Sequence, residues 1–333
     1  MDALKALGAE TTKVLSSVNA DVIPISKCIL SSGLPACYVK HNSLSLSYYL
    51  MLVIAAYSLI WSIVGKNCSK VDQIWSITPW AYIWHFYLHN AITESLPCDR
   101  LFIVCLLTTC WGLRLTFNFA RRGGYGNFFT HEEDYRWPIL RKMMNPFLFL
   151  IFNITFIAFY QNFLLWLIAV PAYEALVSGP ASLCDWDIML TLVFMLLLIG
   201  ETIADQQHYD YQEYKHSLSL SERLKSSDPD IKNGFLTKGL FFLCRHPNYF
   251  CEQSIWVVIF AFSAIGKDGT FSNVSNWTVL GAVLLLLLFQ GSMAFSEGIT
   301  ARKYPLYSVY QKEVSQCFPL PFHFASAGKK KSN

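Results

Sequence analysis

Two uninterrupted apolar blocks, MLTLVFMLLLIG at residues 189–200 and TVLGAVLLLLLF at 278–289, constrain this chain more than any other feature. Hydrocarbon offers no hydrogen-bond partner to the backbone, so only helices and closed barrels cross a bilayer. A crossing helix needs about 20 mostly apolar residues. Windows of that kind occur at 44–64, 74–90, 101–119, 147–170, 187–206, 249–266 and 277–297, the second interrupted by Pro79. The expected fold class is therefore all-α, a polytopic membrane helix bundle of about seven transmembrane helices. Composition agrees. Charged residues make up 15% and hydrophobic residues 53%, where a soluble domain carries about 25% charged residues. A soluble enzyme and a disordered chain are both excluded. The net charge is +3 and the basic residues are dispersed, so no nucleic-acid partner is expected.

Lysine and arginine counts set the expected orientation, because cytosolic loops carry the excess. The loops 65–72, 120–146, 207–248 and 298–333 together hold 19, whereas residues 1–43, 91–100, 171–186 and 267–276 hold 6. This predicts a lumenal N-terminus and a cytosolic C-terminus. Residues 1–43 read as a polar N-terminal segment without the pattern of a cleaved secretory signal. The sequons at Asn273 and Asn276 fall in a loop expected to be lumenal, and the one at Asn67 is discounted as chance. The chain ends KKKSN at 329–333, a cytosolic basic tail (321–333) that resembles the dilysine address of the endoplasmic reticulum membrane.

Ten cysteines, none in a CxxC pair, argue against a disulfide framework and for small buried hydrophobes. His85 and His89 stand one helical turn apart, but no third ligand accompanies them at a defined spacing, so no metal is expected.

Ionisable residues inside apolar spans are functional hypotheses by default. In IGETIADQQHYDYQEY (199–214), Glu201, Asp205 and His208 fall at i, i+4 and i+7, on one helix face. In RHPNYFCE (245–252), Pro247 suits the first turn of a helix, which places Arg245 and His246 at its start and Asn248 and Glu252 one turn apart with Tyr249 beside them. A helix start with a neighbouring arginine is a plausible phosphate seat. In SEGITARKYPLYSVYQ (296–311), Glu297, Arg302, Tyr304, Tyr307 and Tyr310 crowd the exit of the last span, and Tyr304 beside Pro305 is the best candidate among the tyrosines. Asp72 with Trp75 reads as a helix cap or a ligand contact. The loop RRGGYG (121–126) reads as a basic juxtamembrane loop that lacks the context of a dinucleotide-binding strand.

The strings RHPNYFCE (245–252) and KYPLYSVYQ (303–311) together resemble the C-terminal domain of the membrane steroid 5-alpha-reductase superfamily, nearest to a poorly characterised subgroup of unknown function. VDQIW (71–75), WGLRL (111–115) and ETIADQ (201–206) support the likeness, which covers roughly 70–320 and is most specific over the last hundred residues. On this basis 44–320 is a reductase-like membrane domain, with 195–320 its most specific part. The resemblance implies NADPH as cofactor, held from the cytosolic side. It also implies reduction of an activated carbon–carbon double bond in a steroid-like or other lipid substrate. By position it implies cofactor contacts from Arg245, His246, Asn248, Glu252, Glu201 and Asp205, with Arg114, Asn118 and Arg121 on an earlier helix, and Tyr249 or Tyr304 as catalytic donor. Cys251 stands where the family usually has glycine, and the acid and tyrosine that grip a substrate ketone have no counterpart here. Two other readings stay open: a membrane methyltransferase using S-adenosylmethionine, since such enzymes carry a similar RHPxY string, and a non-catalytic lipid-binding scaffold. Oligomeric state is not legible in the sequence.

Overall fold

The computed structural model describes residues 2–94, 98–126, 133–179 and 182–319. The basic tail with Lys329, Lys330 and Lys331 lies outside the described residues. Among the described residues every regular element is helical. In chain order these are α1 (Asp2–Ala20), α2 (Val22–Ser32), α3 (Leu34–Lys40), α4 (Ser43–Val64), α5 (Lys70–Trp75), α6 (Thr78–Thr93), α7 (Asp99–Arg121), α8 (Arg136–Met143) and α9 (Pro146–Phe152). A π-helical stretch (Asn153–Tyr160) then leads into α10 (Gln161–Ser178), followed by α11 (Asp185–Ser217), α12 (Leu220–Lys225), α13 (Pro229–Asn233), a 3₁₀ turn (Gly239–Phe242), α14 (Pro247–Ser263), α15 (Val279–Lys303) and α16 (Tyr307–Glu313).

Among the described residues six helical segments are long and apolar enough to cross a membrane: Leu4–Ser32, Ser43–Val64, Asp99–Arg121, Pro146–Ser178, Asp185–Ser217 and Val279–Lys303. The protein is a multi-pass membrane protein. Large apolar side chains face outward along these helices, Leu192 at 60%, Leu196 at 70% and Leu287 at 61% exposure, which in water would be prohibitive over such a surface. Five of the seven expected windows coincide with these segments. The other two form α6, of 16 residues, and α14, of 17. At 1.5 Å per residue each is about 25 Å long, short of the roughly 30 Å hydrocarbon core. The sixth long segment, Leu4–Ser32, lies in the stretch read as polar. Glu10, Lys13, Asp21 and Lys27 dilute its hydropathy, and Asp21 marks the junction between α1 and α2.

The chain forms two compact units, Met1–Leu192 with Val258–Leu284, and Val193–Val257 with Leu285–Asn333. In the first, α1–α3 pack where α4 begins and where α6 and α10 end. Ser45 Oγ donates to Asp21 at 2.6 Å, and Asn42 Nδ2 to the Tyr173 hydroxyl at 3.1 Å. His85 meets the Tyr38 hydroxyl at 3.2 Å and the Ser43 carbonyl at 3.0 Å, while His89 Nε2 meets the carbonyls of Tyr38 and His41 at 3.0 Å each. The histidine pair thus fastens α6 to the N-terminal helices. Cys28 and Cys37 form a disulfide, contrary to the expectation from spacing alone. Gly33, at φ 80°, turns the chain between α2 and α3 and sets the two cysteines face to face. Five of the eight free cysteines, 68, 105, 244, 251 and 317, are buried as expected of small hydrophobes.

Elsewhere in this unit a buried forked ion pair joins Arg100 to Asp187 at 2.6 and 2.7 Å. Asp72 accepts from the Trp137 indole at 3.1 Å, so it anchors α8; burial raises its carboxyl above the usual range. The loop 121–126 is pinned by Tyr125, whose hydroxyl donates to the Gln73 carbonyl at 2.7 Å. Asn153 exchanges hydrogen bonds with Ser62, and Trp166 Nε1 donates to Ser47 at 2.9 Å, which satisfies polar groups between apolar helices. Asn276 is 3% exposed and its amide donates to the Ser263 and Asn273 carbonyls, while Asn273 donates to Glu174 and Ser263. Both sequon amides are therefore part of the fold.

Candidate functional site

The second unit holds every candidate from the two most specific strings. It is built on the polar continuation of α11. The helix has 33 residues and so runs about 50 Å, well beyond a 30 Å core. One of its faces stays buried after the apolar block ends: Glu201 at 4% exposure, then Ala204, Asp205 at 6%, Tyr211 and Lys215. The stripe changes from carboxylates at one end to an ammonium at the other.

Opposite this face stands α14. Its start follows the expected rule, with Pro247 in the first turn. Asn248 Nδ2 donates to Asp205 Oδ1 at 3.2 Å. Glu252, one turn further and 6% exposed, accepts from the Trp256 indole at 3.0 Å. Cys251 packs on Gly200, where a Cβ would lie 3.2 Å from its sulfur, so a small residue on α11 makes room for a larger one on α14. The structure thus joins Asp205 to Asn248 and buries Glu201, Asp205 and Glu252 on the two helices that carry them.

Arg245 and His246 belong to a second cluster. Arg245 forks onto Glu297 of α15, Nε to Oε1 at 2.7 Å and Nη2 to Oε2 at 3.0 Å, and its Nη1 donates to the carbonyls of Gln311 and Val314. His246 Nε2 and Gln311 Nε2 each meet Glu297 at 2.9 Å. Backbone N–H groups of Arg245 and His246 donate to the carbonyls of Ser315 and Gln316 at 2.9 and 3.0 Å. All three donor nitrogens of Arg245 are thereby committed to fixing the C-terminal segment against the start of α14. Sequence reasoning placed Glu297 near the exit of the last span but missed that it is the counterion of Arg245. The available signal was a lone buried acid and a lone arginine 52 residues apart.

Tyr249 stacks on His246, with ring centres 5.3 Å apart, and meets Phe289 edge-on at 5.0 Å. Tyr304 lies elsewhere, against Gly234 and Phe235. Phe235, Tyr307 and Tyr310 form a small aromatic core, in which Tyr310 donates to the Phe241 carbonyl. Burial, reinforced by the Glu297 charge, pushes the Tyr307 phenol up, and burial likewise raises that of Tyr310. Arg114, Asn118 and Arg121 are on α7 in the first unit, where Arg121 Nε donates to Asn118 Oδ1 at 2.9 Å.

Chemically, the buried carboxylates of Glu201, Asp205 and Glu252 and the amide of Asn248 are groups suited to hydroxyl and amide N–H groups of a ligand. No metal-binding group of histidine, cysteine and acidic residues exists among the described residues.

A family model described as "Protein of unknown function (DUF1295)" matches residues 58–314. A Schizosaccharomyces pombe protein described only as uncharacterized is 35% identical over 269 residues, covering 79% of this chain and 76% of its own length. No solved structure matches. The chain belongs to the DUF1295 family.

Proposed function

We propose that the protein is an NADPH-dependent reductase of the endoplasmic reticulum membrane that acts on an activated carbon–carbon double bond of a steroid-like or other lipid. The observation that carries this reading is the Asp205–Asn248 hydrogen bond, which sets a half-buried amide against a buried carboxylate on two helices that also bury Glu201 and Glu252. That donor set fits the ribose hydroxyls and carboxamide of a nicotinamide cofactor, and the two strings that carry the superfamily resemblance both contribute to this unit.

NADPH, when bound, supplies the hydride. Asp205 orients the Asn248 amide, and Glu201 and Glu252 accept hydrogen bonds from hydroxyl or amide groups. Apolar side chains around them exclude water, which strengthens each of these contacts. Tyr249, held in place by His246, or Tyr304 donates a hydrogen bond or proton to the substrate oxygen. Arg245 acts as a positioning residue, because its donors are taken by Glu297 and two carbonyls.

The polar ends of α11 and α15 belong on the cytosolic side in this reading, with the C-terminus, in line with the lysine and arginine bias. The Cys28–Cys37 disulfide then falls on the lumenal side, where thiols oxidise.

Calorimetric titration of the detergent-purified protein with NADPH and with S-adenosylmethionine tests the reading, with Asn248→Ala and Glu252→Ala as controls. NADPH binding that is lost in both variants, followed by NADPH oxidation with a lipid enone, is the expected result. Binding of S-adenosylmethionine alone would replace the reductase with a methyltransferase, and binding of neither would leave a lipid-binding scaffold.

A further inference from the structure

Lys215 is 6% exposed, and no carboxylate pairs with it among the described residues. Its ammonium donates to the Gly234 carbonyl at 3.3 Å and lies 5.0 Å from the ring centre of Tyr211 and 5.9 Å from that of Tyr304. Lys303 approaches the same Tyr304 ring at 5.3 Å, which bounds the separation of the two ammonium groups at about 11 Å. Arg223 is near enough for its charge, like that of Lys303, to act on Lys215. Neighbouring acids have other partners: Asp230 accepts from Thr237, Asp228 from Lys238, Glu222 from Ser219 and Glu297 from Arg245.

Burying an ammonium is costly, and one carbonyl and two aromatic faces offset that cost only in part. Gathering further cations around it raises that cost, and a bound anion with several acceptor oxygens removes it. Phosphate has the charge and the number of oxygens to meet lysine and arginine donors arriving from α11, α15 and α12 at once. The second unit's other buried cation, Arg245, is neutralised by Glu297 and is not part of this cluster.

We propose that Lys215 and Lys303, which both approach the Tyr304 ring, form a phosphate seat in the second unit, with Arg223 adding its charge nearby. Its ligand is a phosphate borne either by a nucleotide or by a lipid headgroup. Lys215 stands ten residues beyond Asp205 on the same buried stripe of α11, about 15 Å along the axis. A nucleotide whose hydroxyl and amide groups meet the carboxylates can therefore place a phosphate at the lysine end. The seat belongs to the chain whether or not hydride is transferred.

The test uses the full chain in a neutral detergent, titrated calorimetrically with adenosine 2′,5′-bisphosphate and, separately, followed by thermal shift with phosphatidic acid against phosphatidylcholine. One of the two phosphate probes binds the wild type, Lys215→Met weakens it about tenfold or more, Lys215→Arg restores it, and high salt weakens the wild type. Response to the bisphosphate identifies a nucleotide phosphate, and response to phosphatidic acid alone identifies a lipid headgroup. Equal affinity in wild type and Lys215→Met, or binding of neither probe, overturns the proposal. Should Lys215→Met fail to fold, exposed Lys303→Met carries the same expectation of weaker binding. Because the bisphosphate contains no nicotinamide, its result is independent of the NADPH titration that tests the reductase.

Discussion

Arg245 and Glu297, 52 residues apart in sequence, meet through two parallel hydrogen bonds of 2.7 and 3.0 Å with both side chains buried. The pair ties the segment just before α14 to the last turns of α15, and with Gln311 and His246 it gathers three side chains on one carboxylate.

Removing one partner strands the other. Arg245→Ala leaves a buried carboxylate without its cation and is expected to cost about 3–5 kcal/mol. The double variant Arg245→Met with Glu297→Leu replaces both charges by apolar volume and should recover much of that loss. Thermal unfolding in detergent measures both; a double variant as unstable as the sum of the singles would show that the carbonyl contacts, not the charge pair, dominate.

The Cys28–Cys37 link closes a loop with a sequence separation of nine residues. Chain-entropy arithmetic assigns such a loop about 2–3 kcal/mol of stabilisation. Reductant, or Cys28→Ser, should therefore lower the melting temperature to a similar extent, and reductant should do nothing further to the serine variant. A thiol count unchanged by reductant would remove the bond itself.

Gly234 ends α13 with φ at 87°, and a Cβ there would fall 2.2 Å from the Tyr304 ring. Gly234→Ala is expected to cost about 1–2 kcal/mol through the backbone alone, and more through displacement of Tyr304. Gly269→Ala shares a positive φ of 74° but meets only Cys184 Cβ at 3.8 Å, so it should cost the backbone share only. Equal destabilisation by the two would show that Tyr304 moves aside freely.

Burial, with the nearby Cys317 thiol second, pushes the Cys244 thiol up to about 12. Alkylation needs the thiolate, which an unfolded cysteine begins to form near pH 8.5. In the folded protein Cys244 should stay unlabelled by iodoacetamide at pH 8 and at pH 9, and become labelled once denaturant is added. The sign also bears on stability: ionisation favours the unfolded chain above about pH 9, so Cys244→Ala should flatten the alkaline limb of a stability profile. Labelling at pH 8 without denaturant would show the site to be open.

Much of the fold was legible because apolar length is a local property: five windows, the start of α14 at Pro247 and the buried face of Glu201 and Asp205 all follow from residues within a few turns of one another. What failed depended on tertiary partners. Asp21 lowers the hydropathy of the N-terminal helix, yet it accepts a hydrogen bond from Ser45, 24 residues on. The pairing of Cys28 with Cys37 rests on a turn at Gly33 that cysteine spacing does not reveal. Arg245 looked like a free phosphate ligand because Glu297 and the Gln311 and Val314 carbonyls come from a later part of the chain. Lys215 passed as one cation of a basic loop, since only packing shows that it is buried without an acid.

The clamp on Arg245 also imposes an order of events during synthesis. Its partners at Gln311, Val314 and Ser315 emerge some 66 to 70 residues after it. At about 5–20 residues per second, the ribosome delivers them several seconds later. During that interval the arginine, already bound to a helix start, waits without its counterion. The α14 end of this unit can settle only after the segment through Gln316 has been made. A nascent chain stalled before Glu297 therefore presents the quality-control machinery of its membrane with an unpaired guanidinium, and a finished chain does not.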